Sequence, residues 1–173
     1  MKNVLTEEQV RMLLEVLPGQ HQEGIITVAL LTGMRRDELL QLQWQDIDLE
    51  KREIHIHHLK AKHEYRIIHY SDRIAEMMKR HRLNQVQRQS EVGLAWNTLD
   101  LVFPDHAGGF LRPDHLHHAW HELLQHAGLP SLSFHDMRVA RAQALSTRLQ
   151  TTEAERDCTH VGYLDLDKDT YPA

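Results

Sequence analysis

Residues 30–49 read LLTGMRRDELLQLQWQDIDL, and this stretch decides how the chain folds around its candidate site. Gly33 permits a tight turn after an apolar helix, because glycine adopts backbone conformations that other residues avoid. Arg35 leaves that turn at the start of the next helix. Glu38, three residues further on, can brace the guanidinium or cap the helix. The stretch therefore predicts an arginine at a helix N-terminus, where negative charge is favoured.

A second helix start carries the same kind of signal. Residues 133–142 read SFHDMRVARA, and His135 and Arg138 stand three apart, on one side of the predicted helix. Together with the helix dipole, they could hold a phosphate or a carboxylate. The stretch alone is equally compatible with an ordinary capped helix whose His135 and Arg138 are solvated.

Composition restricts the class of protein. The chain has 173 residues, 41% of them hydrophobic and 26% charged, as expected of a soluble protein with one core. No apolar run is long enough to cross a membrane, and the N-terminal residues lack a signal peptide. The single cysteine, Cys158, excludes an internal disulfide and fits a reducing compartment. We therefore expect a cytoplasmic protein with no membrane partner.

The net charge of −5 argues mildly against a nucleic-acid partner, but the charges are unevenly distributed. Residues 51–88 contain ten Lys and Arg against four Asp and Glu. A basic middle of the chain with acidic flanks can still present a basic face.

Fifteen histidines make a metal site the obvious competing interpretation. His55 and His57 would share one face of a strand, and His117 and His121 one face of a helix. Neither pair has a nearby Cys, His or carboxylate that completes a tetrahedral set. We therefore predict no metal site and read these histidines as half-exposed polar surface.

The hydrophobic periodicity predicts an α-rich α+β fold in one domain. REIHIHH (52–58) and YRIIHY (65–70) read as an antiparallel hairpin with its turn through 60–64. Helices are predicted after the capping-box residue Thr6, through 25–32, from Arg35 or Arg36 to about Trp44, after Ser71, over 113–126, and around His135.

The order of these motifs resembles the catalytic domain of the tyrosine recombinase (phage integrase) family over nearly the whole chain. Thr-Gly-x-Arg-x-x-Glu-Leu, with x-Leu-x-Trp-x-Asp-Ile after it, resembles the family's first conserved box. HDMR (135–138) resembles its His-x-x-Arg box, and the hairpin with Lys60 and Lys62 its lysine hairpin. The closing segment THVGYLDLDKDTYPA (159–173) is similar to the family's late histidine and nucleophilic tyrosine.

The resemblance implies a site-specific recombinase or integrase of a mobile genetic element. Such enzymes cut and rejoin double-stranded DNA through a 3′-phosphotyrosine intermediate, without metal or other cofactor. Arg35 and Arg138 would grip the phosphate oxygens, and His135 would assist them. Tyr171 would attack phosphorus, and a lysine would protonate the leaving 5′-oxygen. Guanidinium groups suit this role because they bind phosphate bidentately and stay charged at any working pH.

Two assignments stay open on the sequence. Counting forward from Ile54 favours Lys60 as the general acid, whereas counting back from Arg66 favours Lys62; we prefer Lys60. His160 fits the late-histidine position because it follows a predicted helical segment, as the family's histidine does. Alternatively, "VGY" (161–163) is a shifted form of the family's "LGH", and Tyr163 then takes that position. We prefer His160.

The closing segment departs from the family pattern because Asp165, Asp167 and Asp169 stand near the proposed nucleophile. Their charge would repel DNA and discourage formation of a tyrosinate. A catalytically impaired DNA-binding integrase remnant is therefore one alternative, and a type IB topoisomerase-like strand transferase is another. The resemblance further implies that residues 1–173 are a catalytic domain without the family's N-terminal DNA-clamp domain. We expect a free monomer that would form a synaptic tetramer on DNA if full-length.

Overall fold

The computed structural model describes residues 5–20, 22–57 and 65–137. Within these ranges, five α-helices and the first turn of a further helix at 134–137 accompany a three-stranded antiparallel sheet. Two single turns of 3-10 helix, Trp44–Asp46 and Gly93–Ala95, join them. The predicted α+β class with a small antiparallel sheet is confirmed. The elements, in chain order, are α1 (Glu7–Val16), α2 (Glu23–Thr32), α3 (Arg36–Leu40), β1 (Ile47–Asp48), β2 (Glu53–His57), β3 (Tyr65–His69), α4 (Asp72–Val92) and α5 (Pro113–His126).

Helix α1 begins as its sequence predicts. The Thr6 hydroxyl oxygen accepts a hydrogen bond from the Gln9 backbone N–H at 3.2 Å, and the Gln9 side-chain oxygen accepts one from the Thr6 N–H at 2.9 Å. This reciprocal pair is a capping box, which satisfies two N–H groups that have no partner inside the helix. Leu13 and Leu14 then bury the inner face of the helix.

Helix α2 lies in the core, because its residues are apolar nearly all round. Seven of its ten residues are buried: Ile25, Ile26, Thr27, Val28, Ala29, Leu30 and Thr32. The buried Thr32 hydroxyl donates to the Val28 carbonyl at 2.6 Å and accepts from the Met34 N–H at 3.3 Å. The polar end of α2 is therefore satisfied internally, and its C-terminus is fixed against the core.

The sheet has the order β1-β2-β3, and the predicted hairpin is formed by β2 and β3. Ile54 stands opposite Ile68 and Ile56 opposite Arg66 in the register. Strand β1 pairs with β2 and was not predicted, because two residues are too few to show an alternating pattern.

The third helix is shorter than predicted: α3 ends at Leu40 and does not continue to Trp44. Beyond it, the Trp44 N–H donates to the Asp100 carbonyl at 3.0 Å, and the Val102 N–H donates to the Leu42 carbonyl at 2.8 Å. These long-range bonds replace the helical ones and allow Leu42 and Trp44 to be buried. Helical periodicity alone could not reveal that competing partner.

Helices α4 and α5 complete the described part of the chain. The Ser71 hydroxyl caps α4 by accepting the Ile74 N–H at 3.3 Å, as predicted, and α4 runs on to Val92. Helix α5 has the predicted bounds, from Pro113 to His126. Across the described residues, no helix combines the length and the apolar character needed to span a lipid bilayer.

His81 of α4 is packed between the rings of Trp44 and Phe103, with ring centroids 6.2 and 5.3 Å away. Its Nε2 lies 2.6 Å from the Val102 carbonyl oxygen, which can only accept, so Nε2 carries the proton. Burial lowers the pKa of His81 below its ordinary value, since a charged imidazole would lose its hydration there. The hydrogen bond to Val102 and the charge of Glu23 raise the pKa of His81 and offset part of this shift. The charge of Arg88 lowers the pKa further.

We expect the folded protein to lose stability as the pH falls below about 6.5. In that range His81 of the unfolded chain binds a proton, whereas His81 of the folded protein binds one only at lower pH, so protonation favours the unfolded state. The contribution changes by at most about 1.4 kcal/mol per pH unit. Urea unfolding of the wild type and of His81→Gln, measured from pH 7.5 to 5, isolates it, since the other histidines cancel in the difference. The wild-type advantage should shrink toward acid pH; a constant difference would contradict this assignment.

Candidate active site

Arg35 is placed by the turn that ends α2. Gly33 adopts φ 67° and ψ 24°, in the left-handed region, and its N–H donates to the Ala29 carbonyl at 2.9 Å. Met34 follows it and is 1% exposed, so the chain is anchored in the core immediately before the arginine. Arg35 then occupies the position that precedes α3, with 46% of its side chain exposed. The turn therefore holds the backbone rigidly and directs a guanidinium to the surface.

Glu38 holds Arg35 at both its backbone and its side chain. Its Oε2 accepts the Arg35 backbone N–H at 2.7 Å, and its Oε1 accepts from Arg35 Nη1 at 3.1 Å. The sequence offered two roles for Glu38, brace or cap, and the structure shows that it performs both. Because only 10% of the Glu38 side chain is exposed, these charge-assisted bonds are less weakened by solvent than those of a surface pair.

A second arginine reaches the same carboxylate from the sheet. Arg66 of β3 donates from Nη2 to Glu38 Oε2 at 2.7 Å, across 28 positions of sequence. Its side chain is 23% exposed. The Arg66 bond therefore joins the base of the lysine hairpin to the start of α3, directly beside Arg35.

Arg66 is not among the site residues predicted from the sequence, although the strand pattern around it contains a signal. Alternate residues of a strand share a face, so Arg66 lies on the same face of the sheet as Ile68 and Tyr70. Ile68 is 2% and Tyr70 3% exposed. An arginine in register with two buried apolar side chains indicates a carboxylate partner inside the protein, because an unpaired buried charge is costly.

His135 is positioned by a buried tryptophan of α5. Trp120 is fully buried, and its Nε1–H donates to the Leu132 carbonyl at 2.7 Å. The Trp120 ring also meets the Phe134 ring edge-on, with centroids 6.0 Å apart. Since Met137 is 1% exposed, the segment is anchored on both sides of His135, which projects into solvent.

The turn that carries His135 has its own cap. Ser133 Oγ donates to Asp136 Oδ2 at 2.6 Å, and the Ser133 backbone N–H donates to the same oxygen at 2.9 Å. In return, the Asp136 N–H donates to Ser133 Oγ at 3.2 Å. Residues 134–137 are helical, so His135 sits at a capped helix start, as its sequence predicted.

Arg35 and His135 are the two predicted site residues that lie within the described ranges, and each stands on a rigidly anchored turn. Lys60, Lys62, Arg138, His160, Tyr163 and Tyr171 lie outside the described residues, so their roles stay predictions. Both lysines are three positions from the nearest described strand residue, Lys60 from His57 and Lys62 from Tyr65, so the strand ends do not favour either lysine.

Tyr70 is a described tyrosine whose environment makes it a poor nucleophile. Its hydroxyl donates to the Asp48 carbonyl at 3.0 Å. Burial raises the pKa of Tyr70 to about 12, and the nearby Asp48 charge adds to that effect. A phenol that is buried, donating and reluctant to ionise is unsuited to attack phosphorus.

The described residues contain a cavity away from Arg35 and His135, and they contain no cluster of metal ligands. A cavity of about 400 Å³ lies between α2, α4 and residues 103–111, and neither Arg35 nor His135 lines it. No group of three or more His, Cys, Asp or Glu side chains among the described residues is arranged to hold a metal ion. Beside Arg35, the guanidinium of Arg66 meets the same carboxylate, and surface guanidiniums can bind an oxyanion.

Comparison with known proteins agrees with this geometry. The model of the phage integrase family matches residues 3–152. A tyrosine recombinase XerC-like protein of Caldanaerobacter subterraneus subsp. tengcongensis is 26% identical over 168 residues, which cover 83% of this chain and 43% of that protein. The chain therefore belongs to the phage integrase family, and the resemblance of its motifs is confirmed.

Solved structures establish the same fold. The XerA recombinase superposes with a TM-score of 0.72 at 19% identity, covering 88% of this chain and 51% of its own. The XerH site-specific recombinase, in a pre-cleavage complex with its difH substrate, gives 0.71 at 23% identity, covering 87% and 44%. The chain thus spans about half the length of these relatives, over a tyrosine recombinase catalytic fold.

We predict that Glu38→Ala costs about 2–3 kcal/mol of unfolding free energy, because two partly buried guanidiniums lose their shared carboxylate. Asp37→Ala is the matched control: it removes the adjacent carboxylate, which is 68% exposed and pairs with Arg36 at 3.3 Å. That change should cost at most about 1 kcal/mol. Urea denaturation of both variants decides the matter, and equal losses would show that Glu38 is an ordinary surface acid.

Proposed function

We propose that the chain is the catalytic domain of a tyrosine-type site-specific DNA recombinase, the role that its sequence motifs predicted. The observation that carries this proposal is the Arg35 guanidinium, half exposed and held at α3 by Glu38 within the family's first box. Family membership and the XerH complex with its substrate DNA support double-stranded DNA as the partner. A DNA substrate also supports the expected cytoplasmic location.

In the proposed reaction, Arg35 and Arg138 bind the non-bridging oxygens of the scissile phosphate and stabilise the charge that develops on them. His135 hydrogen-bonds the phosphate or accepts the phenolic proton of Tyr171. The Tyr171 oxygen forms a bond to phosphorus while the bond from phosphorus to the 5′-oxygen breaks. Lys60, or Lys62, donates a proton to that oxygen, which would otherwise leave as a poor alkoxide.

The product is a 3′-phosphotyrosine linkage and a free 5′-hydroxyl. Attack by a 5′-hydroxyl of another strand reverses the step and rejoins the DNA, so the phosphodiester energy is conserved and no cofactor is consumed. His160, or Tyr163, would complete the phosphate contacts at the late-histidine position. We further propose a monomer in free solution and a synaptic tetramer on DNA in the full-length protein.

We expect Tyr171→Phe to abolish the covalent adduct while leaving folding nearly unchanged, because only one hydroxyl is lost. Tyr70→Phe is the matched control, since it removes the hydroxyl of a buried tyrosine that is unsuited to attack. The measurement is a denaturing gel after incubation with a randomised pool of nicked duplexes. In such duplexes the cleaved 5′-hydroxyl fragment diffuses away, so the protein-linked strand accumulates.

Each other outcome of this experiment has a distinct meaning. An adduct that survives Tyr171→Phe would assign the nucleophile elsewhere, and Tyr163→Phe would be the next variant. DNA binding by the wild type without any adduct would favour the integrase remnant. Relaxation of supercoiled DNA without site preference would favour the topoisomerase-like alternative.

A further inference from the structure

We propose that Arg66 is a positioning residue for Arg35, acting through the carboxylate of Glu38 that both arginines share. The inference rests on the proposed function, in which Arg35 binds the scissile phosphate. It adds a residue of β3 to the machinery that prepares the first arginine, outside the set of residues predicted from the sequence.

The hydrogen bonds show how Arg66 can act at a distance. Glu38 Oε1 accepts from the Arg35 side chain at 3.1 Å, whereas Oε2 accepts both the Arg35 N–H and Arg66 Nη2, each at 2.7 Å. A glutamate side chain can rotate about its bonds, and the bond from the strand, together with the Arg35 backbone N–H, restricts that rotation. The orientation of Oε1, and with it that of the Arg35 guanidinium, therefore depends in part on Arg66.

The three side chains become less exposed from Arg35 to Arg66 to Glu38, so solvent weakens the contacts of Glu38 the least. The exposed fractions of the side chains are 46% for Arg35, 23% for Arg66 and 10% for Glu38. In addition, Arg66 Nε is buried and has no hydrogen-bond partner among the described residues. A buried, unsatisfied N–H opposes folding, so stability alone would be served as well by an apolar side chain at this position. We infer that an arginine at this position has a task that needs its charge and its planar, forked guanidinium.

The net charge of the cluster also depends on Arg66. Arg35 and Glu38 alone form a pair with no net charge, whereas the three side chains together carry +1. A phosphate is attracted more strongly to a cluster that keeps a positive charge, above all in partly buried surroundings. Arg66 therefore compensates Glu38, so that the carboxylate can orient Arg35 without cancelling its attraction for the phosphate.

The first test measures Arg35 directly and does not depend on activity. We would record the {1H}-15N NOE of the Arg35 Nε–Hε group in the 173-residue chain, assigning its signal by its loss in Arg35→Lys. Arg66→Met should lower the NOE, which reports loss of order on the ps–ns timescale. Arg80→Met, which removes an exposed arginine paired with Glu23 near the other end of α2, should not change it. An unchanged Arg35 NOE in Arg66→Met would overturn the proposal.

A second arginine variant protects the test against misfolding. Arg66→Lys keeps the charge but cannot reproduce the planar fork, so the Arg35 NOE should fall by less than in Arg66→Met. Should Arg66→Met fail to fold, Arg66→Lys takes its place, and an NOE equal to that of the wild type would then overturn the proposal.

The second test is a double-mutant cycle on adduct formation with nicked duplexes. Arg66→Met should slow the reaction at saturating DNA by about tenfold or more while changing DNA affinity far less. In an Arg35→Ala background it should have almost no further effect, because its target is gone. Losses that multiply in the double variant would overturn the proposal. If the wild type forms no adduct, the proposed function fails, and the NOE alone decides the role of Arg66.

Discussion

One carboxylate, that of Glu38, which is 10% exposed, organises the described part of the site. Glu38 accepts hydrogen bonds from the backbone and side chain of Arg35 and from the side chain of Arg66. Two of these bonds are local to α3, and the third crosses to β3. The carboxylate thus ties a helix start to a strand, and its low exposure strengthens every one of these contacts. The proposed role of Arg35 depends on this arrangement, because it determines where the first guanidinium points.

The rest of the fold supports two exposed side chains, the guanidinium of Arg35 and the imidazole of His135. Helix α2 is buried nearly all round, and its left-handed Gly33 turn delivers Arg35 to the surface. At the other end of the described chain, the Trp120 indole holds the Leu132 carbonyl and the Phe134 ring, so that His135 emerges from a fixed turn. In both places a core residue stands next to the functional one, which limits the motion of a side chain that must meet a phosphate.

Local signals predicted well where local forces decide the structure. The capping box at Thr6 and the proline at the start of α5 gave correct helix starts, and the two motif boxes gave the family. Prediction failed where distant residues compete: α3 ends early because Leu42 and Trp44 bond to residues 100–102, and Arg66 was overlooked because its partner is 28 positions away. Periodicity reports which face is buried, but it does not identify the partner. The roles of Lys60 or Lys62, Arg138, His160 and Tyr171 stay predictions.

The central claim is that the Glu38-held Arg35 and the Trp120-anchored His135 turn serve one phosphate. The most direct measurement is an experimental structure of the chain bound to a nicked duplex from the pool that it cleaves. We predict that Arg35, His135 and Arg138 all lie within hydrogen-bond distance of the same phosphate, with Glu38 still bonded to Arg35 and Arg66. Arg35 and Arg138 on different phosphates, or on opposite faces of the protein, would contradict the account.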